Sequence, residues 1–407
     1  MTLLARDPVA PLALRLAPLA RRRGGPRVDV WLVVAATALA LIGAILVWSA
    51  TRSRLAATGA NPQSYLYRHL VNVAIGVVLA VVASRADSRM LRFLGPIVYV
   101  VSLLGLGLVF LVGTTVNGAH AWILLPGGFS LQPAEFMKLG LVVGMAVMFG
   151  QRAASRRFDA PPTSSDVLIA VVLVGIPLTL VMLQPDLGSA MVLAAAAFGL
   201  LVAADVRARW MFALVALGVL GIIVAVRSGA LAEYQLSRFR VFADPAVDTQ
   251  GAAYNVTQAH IAIANGGLFG RGLFHGPQTR GAFVPEQQTD FVYSVAGEEF
   301  GLLGAGLIIV LFAVLCWRGL RIAARADRTG RLLAVGVVCW FAFQAFQNIG
   351  MNLGLTPVTG LPLPFVSYGG SSMFAQSLAI GMLLAVHRSG FGRPGGYMTP
   401  GGQKHGT

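Results

Sequence analysis

Charge is scarce in this 407-residue sequence: Asp, Glu, Lys and Arg together make up 12%, against about 25% in a soluble domain. A water-facing surface cannot be covered at that level, which excludes a large soluble enzyme. Acid is scarcer than base, 16 residues against 31. Cysteine is nearly absent. Cys316 and Cys339 each lie inside an apolar run, which argues against a disulfide framework and reads as free packing thiols. Also missing is the ten-residue alternation of a membrane β-barrel. What the sequence does contain is apolar: 56% hydrophobic residues, a mean hydropathy of +0.74, and runs of about twenty residues, the length of a membrane-crossing helix. The fold class expected is an all-α polytopic membrane protein.

Ten apolar runs fall at 29–49, 68–84, 90–112, 132–150, 165–183, 186–203, 209–227, 290–316, 331–354 and 371–388. Only Gln184-Pro185 joins the fifth to the sixth, which requires a tight hairpin. An even number of spans puts both termini on one side. With the ends inside, 22 of the 31 basic residues fall on cytoplasmic segments and 8 on outer ones, Lys138 lying within a span. That is the positive-inside bias, so both termini are expected in the cytoplasm. The net charge of +15 then reads as topology, not as nucleic-acid binding. Residues 1–28, with six arginines and no signal-peptide pattern, are expected to be a disordered basic tail. Residues 389–407, rich in Gly and Pro, are expected to be a second one. The membrane domain between them covers 29–388. One long extracytoplasmic loop, 228–289, and two shorter ones at 113–131 and 355–370 place the chemistry on the outer face.

Ionisable residues within or beside spans are costly and count as functional candidates. Glu135 and Lys138, at i, i+3 after Gln132-Pro133, share a helix face and can pair. Gln184-Pro185-Asp186-Leu187-Gly188 opens the sixth span in the same way. Glu286, Thr289 and Asp290 lie where the long loop enters the eighth span, with Thr289 a candidate N-cap. A carboxylate at that boundary suits a general base, since partial desolvation raises its pKa toward working pH. Glu298 lies about 12 Å deeper, turned about 80° from Asp290, so both could border one cavity. Ser367, Gly369, Gly370 and Ser371 precede the last span, where exposed backbone N–H groups can cradle an anion. A capped helix start accounts for each cluster taken singly. Together, spans four, six, eight and ten all open outward on a polar cluster, and Arg68 adds a cation to that layer. The set favours an anionic headgroup such as a pyrophosphate.

The same motifs resemble, in order and over about residues 29–388, the SEDS (shape, elongation, division, sporulation) family of peptidoglycan glycosyltransferases. The matching stretches are Asn117 to Ile123, Ser130 to Leu139, Gln184 to Gly188, Ile263 to Gly272, Pro285-Glu286 with Thr289 to Phe291, Glu298 to Gly301, and Asn348 to Ser372. Pro357-Val358-Thr359-Gly360 resembles the elongation branch, RodA, more than the division branch, FtsW. Two departures stand out. His120-Ala121 replaces a basic residue before Trp122. Glu286-Gln287-Gln288 replaces a stretch ending in His, which leaves Asp290 as the candidate base.

The resemblance implies lipid II as substrate, with the acceptor's GlcNAc 4-hydroxyl attacking the donor's anomeric carbon and the undecaprenyl pyrophosphate leaving. Asp290 would be the catalytic base. Lys138, held by Glu135, and Arg68 would offset pyrophosphate charge. Gln132, Asp186, Glu286, Thr289, Ser367, Gly369, Gly370 and Ser371 would contact substrate or order the groove. The resemblance leaves room for a divalent cation, magnesium or manganese, without naming its ligands. It implies a class B penicillin-binding protein as transpeptidase partner, contact with membrane lipid, and a cytoplasmic membrane location with the active site facing outside. A lipid II flippase or other transporter would use the same buried charges, but no inverted repeat relates the two halves. An inert scaffold would leave the intramembrane charges without a purpose.

Overall fold

The computed structural model describes residues 28–116, 118–125, 129–155, 161–228, 238, 242 and 251–391. All of the first expected tail but residue 28, all of the second but 389–391, which are helical, and most of 229–250 lie outside the described residues. Seven helices come first, α1 (Val30–Ala57), α2 (Ser64–Ser84), α3 (Ser88–Val112), α4 (Pro133–Ala154), α5 (Ser164–Leu183), α6 (Leu187–Ala203) and α7 (Ala208–Arg227). Two shorter ones lie in the long loop, α8 (Ala252–Gly266) and α9 (Pro277–Arg280). Three more complete the fold: α10 (Val292–Ala323), α11 (Arg328–Asn352) and α12 (Gly370–Phe391). Nine of these are long and apolar enough to cross a membrane. The sixth apolar run forms α6, which at 17 residues is shorter. Cys316 and Cys339 are free thiols.

Local chemistry sets the helix ends. Pro133 stands in the first turn of α4 with Glu135, where a missing N–H costs nothing and an acid complements the helix dipole. Asp186 caps α6, accepting from Ser189 N at 2.9 Å, directly after the tight turn that follows α5. Asp29 caps α1 through Leu32 N at 3.1 Å, and Arg318 Nε of α10 reaches both of its carboxylate oxygens at 3.0 and 3.1 Å.

Helices α4, α11 and α12 form the centre. Their apolar windows are 83%, 67% and 72% buried, whereas no residue of α7 is buried. α12 lies along α2, α4 along α3, and α11 between α4, α6 and α10. The termini of the membrane domain share one face with the basic helix ends, where Arg152–Asp166, Arg331–Asp205 and Arg388–Asp87 pair at 2.9, 3.7 and 3.6 Å. The opposite face, called here the loop face, carries the segments after α3, α7 and α11.

Three features depart from the expectation. The segment after α3 is a small antiparallel sheet, β1 (Thr114–Val116), β2 (Ala119–Leu125) and β3 (Phe129–Leu131), in that order. Its β-branched and aromatic residues favour extended backbone. Second, α10 begins at Val292, so Asp290 stands outside the span, in the turn before it. Third, α10 is broken at Gly301, whose φ of 64° and ψ of −164° suit glycine alone. The chain after α8 fills that break: Leu302 N donates to Gly267 O at 2.9 Å, and Arg271 N to Glu298 O at 2.9 Å. Backbone groups freed inside a membrane helix thus find partners in the protein.

Candidate active site

The turn before α10 is built around Glu286. Its φ is 51°, and its carbonyl collects the N–H groups of Thr289, Asp290 and Phe291 at 3.1, 3.0 and 3.3 Å. Its carboxylate accepts from Gln288 Nε2 at 3.0 Å and from the Thr289 hydroxyl at 3.2 Å. Thr289 therefore does not cap α10, as expected from sequence. Phe291 holds the N-cap position, and the Thr289 side chain turns back to Glu286.

Two amides of α11 grip this turn from below. Asn348 Nδ2 donates to Asp290 O at 2.8 Å and to Leu361 O at 2.7 Å, and Asn352 Nδ2 reaches Asp290 O at 3.2 Å. Both asparagines are fully buried. The segment after α11 closes over them. Ser367 Oγ accepts from Leu363 N at 2.8 Å and donates to Thr289 O, and Tyr368 N donates to Gln288 O at 2.9 Å.

The helix starts on the loop face are stitched together. Gln132 Nε2 donates to Asp186 Oδ2 at 3.0 Å, joining α4 to α6. Gln132 N donates to Ser371 Oγ at 2.9 Å, and that hydroxyl donates to Ser130 O at 3.1 Å, joining α4 to α12. The hydroxyls of Ser367 and Ser371 are thus committed to protein partners. The donors left at this end are the opening N–H groups of α12, of the kind a helix start offers an anion. Gly370 lies against Asn72 of α2. Arg68, one turn before Asn72, hydrogen-bonds Tyr368, whose hydroxyl burial pushes up in pKa while Arg68 opposes the shift.

Asp290 stands at the focus. Burial pushes its carboxyl up to about 7, and Glu286 and, more weakly, Asp186 push the same way; Arg238 and the Thr289 hydroxyl oppose them. Gly360, at a φ of 72°, faces it: a Cβ built there would stand 3.6 Å from Asp290 Oδ2 and 3.9 Å from Arg238 Nη1. Asp290, Glu286, Thr289, Asp186 and Arg238 thus form one neighbourhood, joined through Gln132 and Ser371 to the start of α12.

Glu135 and Lys138 form a separate site. Their ion pair measures 2.6 Å, with side chains 1% and 0% exposed, and Lys138 also donates to Gln344 Oε1 at 3.2 Å. Gln344 Nε2 in turn holds Pro362 O at 2.8 Å. In this geometry Lys138 touches protein groups on every side rather than an open groove. Glu298 does not share a cavity with Asp290. Its carboxylate accepts from Gln278 N, Thr279 N and the Thr279 hydroxyl at 2.8, 2.8 and 2.7 Å, anchoring α9. Glu299 accepts from Ser49 and from Phe274 N. Among the described residues, no three His, Cys, Asp or Glu side chains are grouped to hold a metal ion.

Sequence reasoning did not single out Arg238, Gln344, Asn348 or Asn352 as site residues. The last three carried a readable signal, amides four residues apart on one face of an apolar helix. Arg238, inside the long loop, carried none.

A family model described as a cell cycle protein, covering FtsW, RodA and SpoVE, matches residues 30–390. A probable peptidoglycan glycosyltransferase FtsW of Coxiella burnetii is 36% identical over 364 residues, 88% of this chain and 95% of that protein. The peptidoglycan glycosyltransferase MrdB of Escherichia coli is 33% identical over 360 residues, 88% and 93% of the two chains. Among solved structures, a chain of a peptidoglycan synthase complex described as coordinating polymerization and crosslinking superimposes with a TM-score of 0.72 at 30% identity, covering 90% of this chain and 99% of that one. The rod shape determining protein RodA of Thermus thermophilus gives 0.65 at 30% identity, covering 89% and 97%. The loop-face cluster is therefore carried on a polytopic helical membrane fold matched almost end to end, and the chain belongs to the FtsW–RodA–SpoVE, or SEDS, family.

Proposed function

We propose that this peptidoglycan glycosyltransferase joins lipid II units at the loop face, with Asp290 as the general base. The observation that carries the reading is the Asp290 carboxyl at about 7, held by its own main chain at the meeting point of four helix starts. A base with that pKa is unprotonated often enough to act near neutrality and basic enough to accept a proton. The acceptor's sugar hydroxyl gives its proton to Asp290 as its oxygen bonds to the donor's anomeric carbon. The bond from that carbon to the pyrophosphate oxygen breaks, and the lipid pyrophosphate leaves with the electron pair.

Arg68, with Tyr368 and the opening turn at Gly369, Gly370 and Ser371, receives the leaving pyrophosphate. Asp186, Gln132, Glu286, Thr289 and Ser367 order the groove. Lys138 acts through Gln344 on the Pro362 segment, with Glu135 holding it in place. The loop face lies outside the cytoplasmic membrane, and 29–388 is one membrane domain between two cytoplasmic tails. Pro357-Val358-Thr359-Gly360 supports a role in elongation over division. The likeness to a chain of a synthase complex supports a class B penicillin-binding protein as partner. Polymerisation of labelled lipid II by the purified protein with that partner tests the reading. Asp290→Ala should abolish polymer, and a folded Asp290→Ala protein that polymerises at the wild-type rate refutes the base assignment.

A further inference from the structure

Beside the Asp290 turn, between α8, the segment after α11 and the residues Arg238 and Phe242, lies a cavity of about 120 Å³. Val256, Val358 and Phe242 give it an apolar lining, and Thr257, His260 and Arg238 place a hydroxyl, an imidazole and a guanidinium on it. An apolar cavity of about 150 Å³ takes a guest the size of benzene, so this one suits a substituent, not a whole sugar or a phosphate chain. Arg238 belongs both to the cavity and to the Asp290 neighbourhood, with Nη1 and Asp290 Oδ2 at 3.9 and 3.6 Å from the same point above Gly360. A group held in the cavity therefore shares Arg238 with the base.

The lining offers donors from Arg238, Thr257 and His260 and holds no carboxylate, and the Arg238 charge is already drawn on by Asp290. The walls call for a neutral group with a small apolar body and one strong acceptor. An acetamido group has that form: its methyl packs on Val256 and Val358, and its carbonyl oxygen accepts from Arg238 or Thr257. We propose that this cavity takes the acetamido group of the acceptor's N-acetylated sugar and so sets the register of that sugar's hydroxyl at Asp290. This rests on the glycosyltransferase reading above and adds an acceptor subsite to it.

The test uses the full chain with its transpeptidase partner and two labelled lipids, lipid II and the same lipid whose terminal sugar bears a free amine. Wild type should use the amine form at least about tenfold less efficiently, the scale on which a lost apolar contact discriminates substrates. Val256→Trp, which fills the cavity, should raise KM for lipid II and erase the preference. Thr257→Trp, at an exposed position on the same wall, should do the same and serves where the half-buried Val256→Trp does not fold. Equal use of both lipids by wild type overturns the subsite, as does unchanged KM and preference in a folded Thr257→Trp protein. A wild-type protein that polymerises neither lipid overturns the glycosyltransferase reading and the subsite with it.

Discussion

Two places in this protein set a carboxylate against a cation, and they are built in opposite ways. Glu135 and Lys138 pair within one helix at 2.6 Å, sealed from solvent, one acid to one base, with Gln344 taking a further ammonium proton. Asp290 stands in a turn outside its helix, where among the described residues three carboxylates act around a single guanidinium. Burial is common to both and is the main cause of the raised Asp290 pKa; what differs is whether a partner charge offsets it. A matched pair lowers the energy of both charged forms and fixes them. An outnumbered cation leaves a carboxylate that is costly to ionise and therefore ready to take a proton.

Substitutions can break this comparison, and the largest effect belongs to the open site. Asp290→Asn keeps the shape and the main-chain grip but removes the proposed base, and the polymerisation rate should fall by about 10²–10⁴ with melting temperature in detergent unchanged. Glu135→Gln should do the reverse. Leaving Lys138 charged and unpaired costs about 3–5 kcal/mol, read as a lower melting temperature, and Glu135→Leu combined with Lys138→Met should recover most of it. Were Glu135→Gln to melt normally and lose polymerisation, the pair would be catalytic and the contrast would fail.

An intermediate effect is expected at Asn348→Ala. Asp290 O and Leu361 O each lose a buried donor, worth about 1–3 kcal/mol, and kcat should fall more than KM rises because the base loses its aim. The smallest effects sharpen the electrostatic side. Asp290 must be unprotonated to act, so activity should rise with pH through about 7 and level off above it. Glu286→Gln removes a charge that opposes ionisation and should move that limb to lower pH. Arg238→Gln removes one that favours it and should move the limb to higher pH. Shifts of the same sign would mean that these residues act through shape alone.

Much of this was legible in the sequence where the governing interaction is local. The apolar runs marked nine long helices and the shorter α6, Gln184-Pro185 marked the hairpin, and i, i+3 spacing marked the Glu135–Lys138 pair. Reading failed where a residue's partner lies far along the chain. Thr289 looked like a cap because the helix was taken to begin two residues early. Glu298 looked free to face Asp290 because nothing in its own helix says that α9 will dock there. Arg238 reaches Asp290 across the long loop, and no periodicity records that approach. The two α11 asparagines were visible as polar residues in an apolar helix, but their target, a main-chain carbonyl, has no sequence signature.

The bond from Gln132 N to Ser371 Oγ joins residues 239 positions apart. It places the centre on a timetable. Gln132, Asp186 and Asp290 all enter the membrane before the helices that organise them, α11 and α12, have been made. A nascent chain halted before Asn348 carries the Asp290 carboxylate and most of its spans, yet lacks the α11 amides that hold the Asp290 turn and the hydroxyl that ties α4 to the last helix. Activity therefore arises as a late event of biogenesis, and a chain cut short at its C-terminal end is an inserted protein without an enzyme.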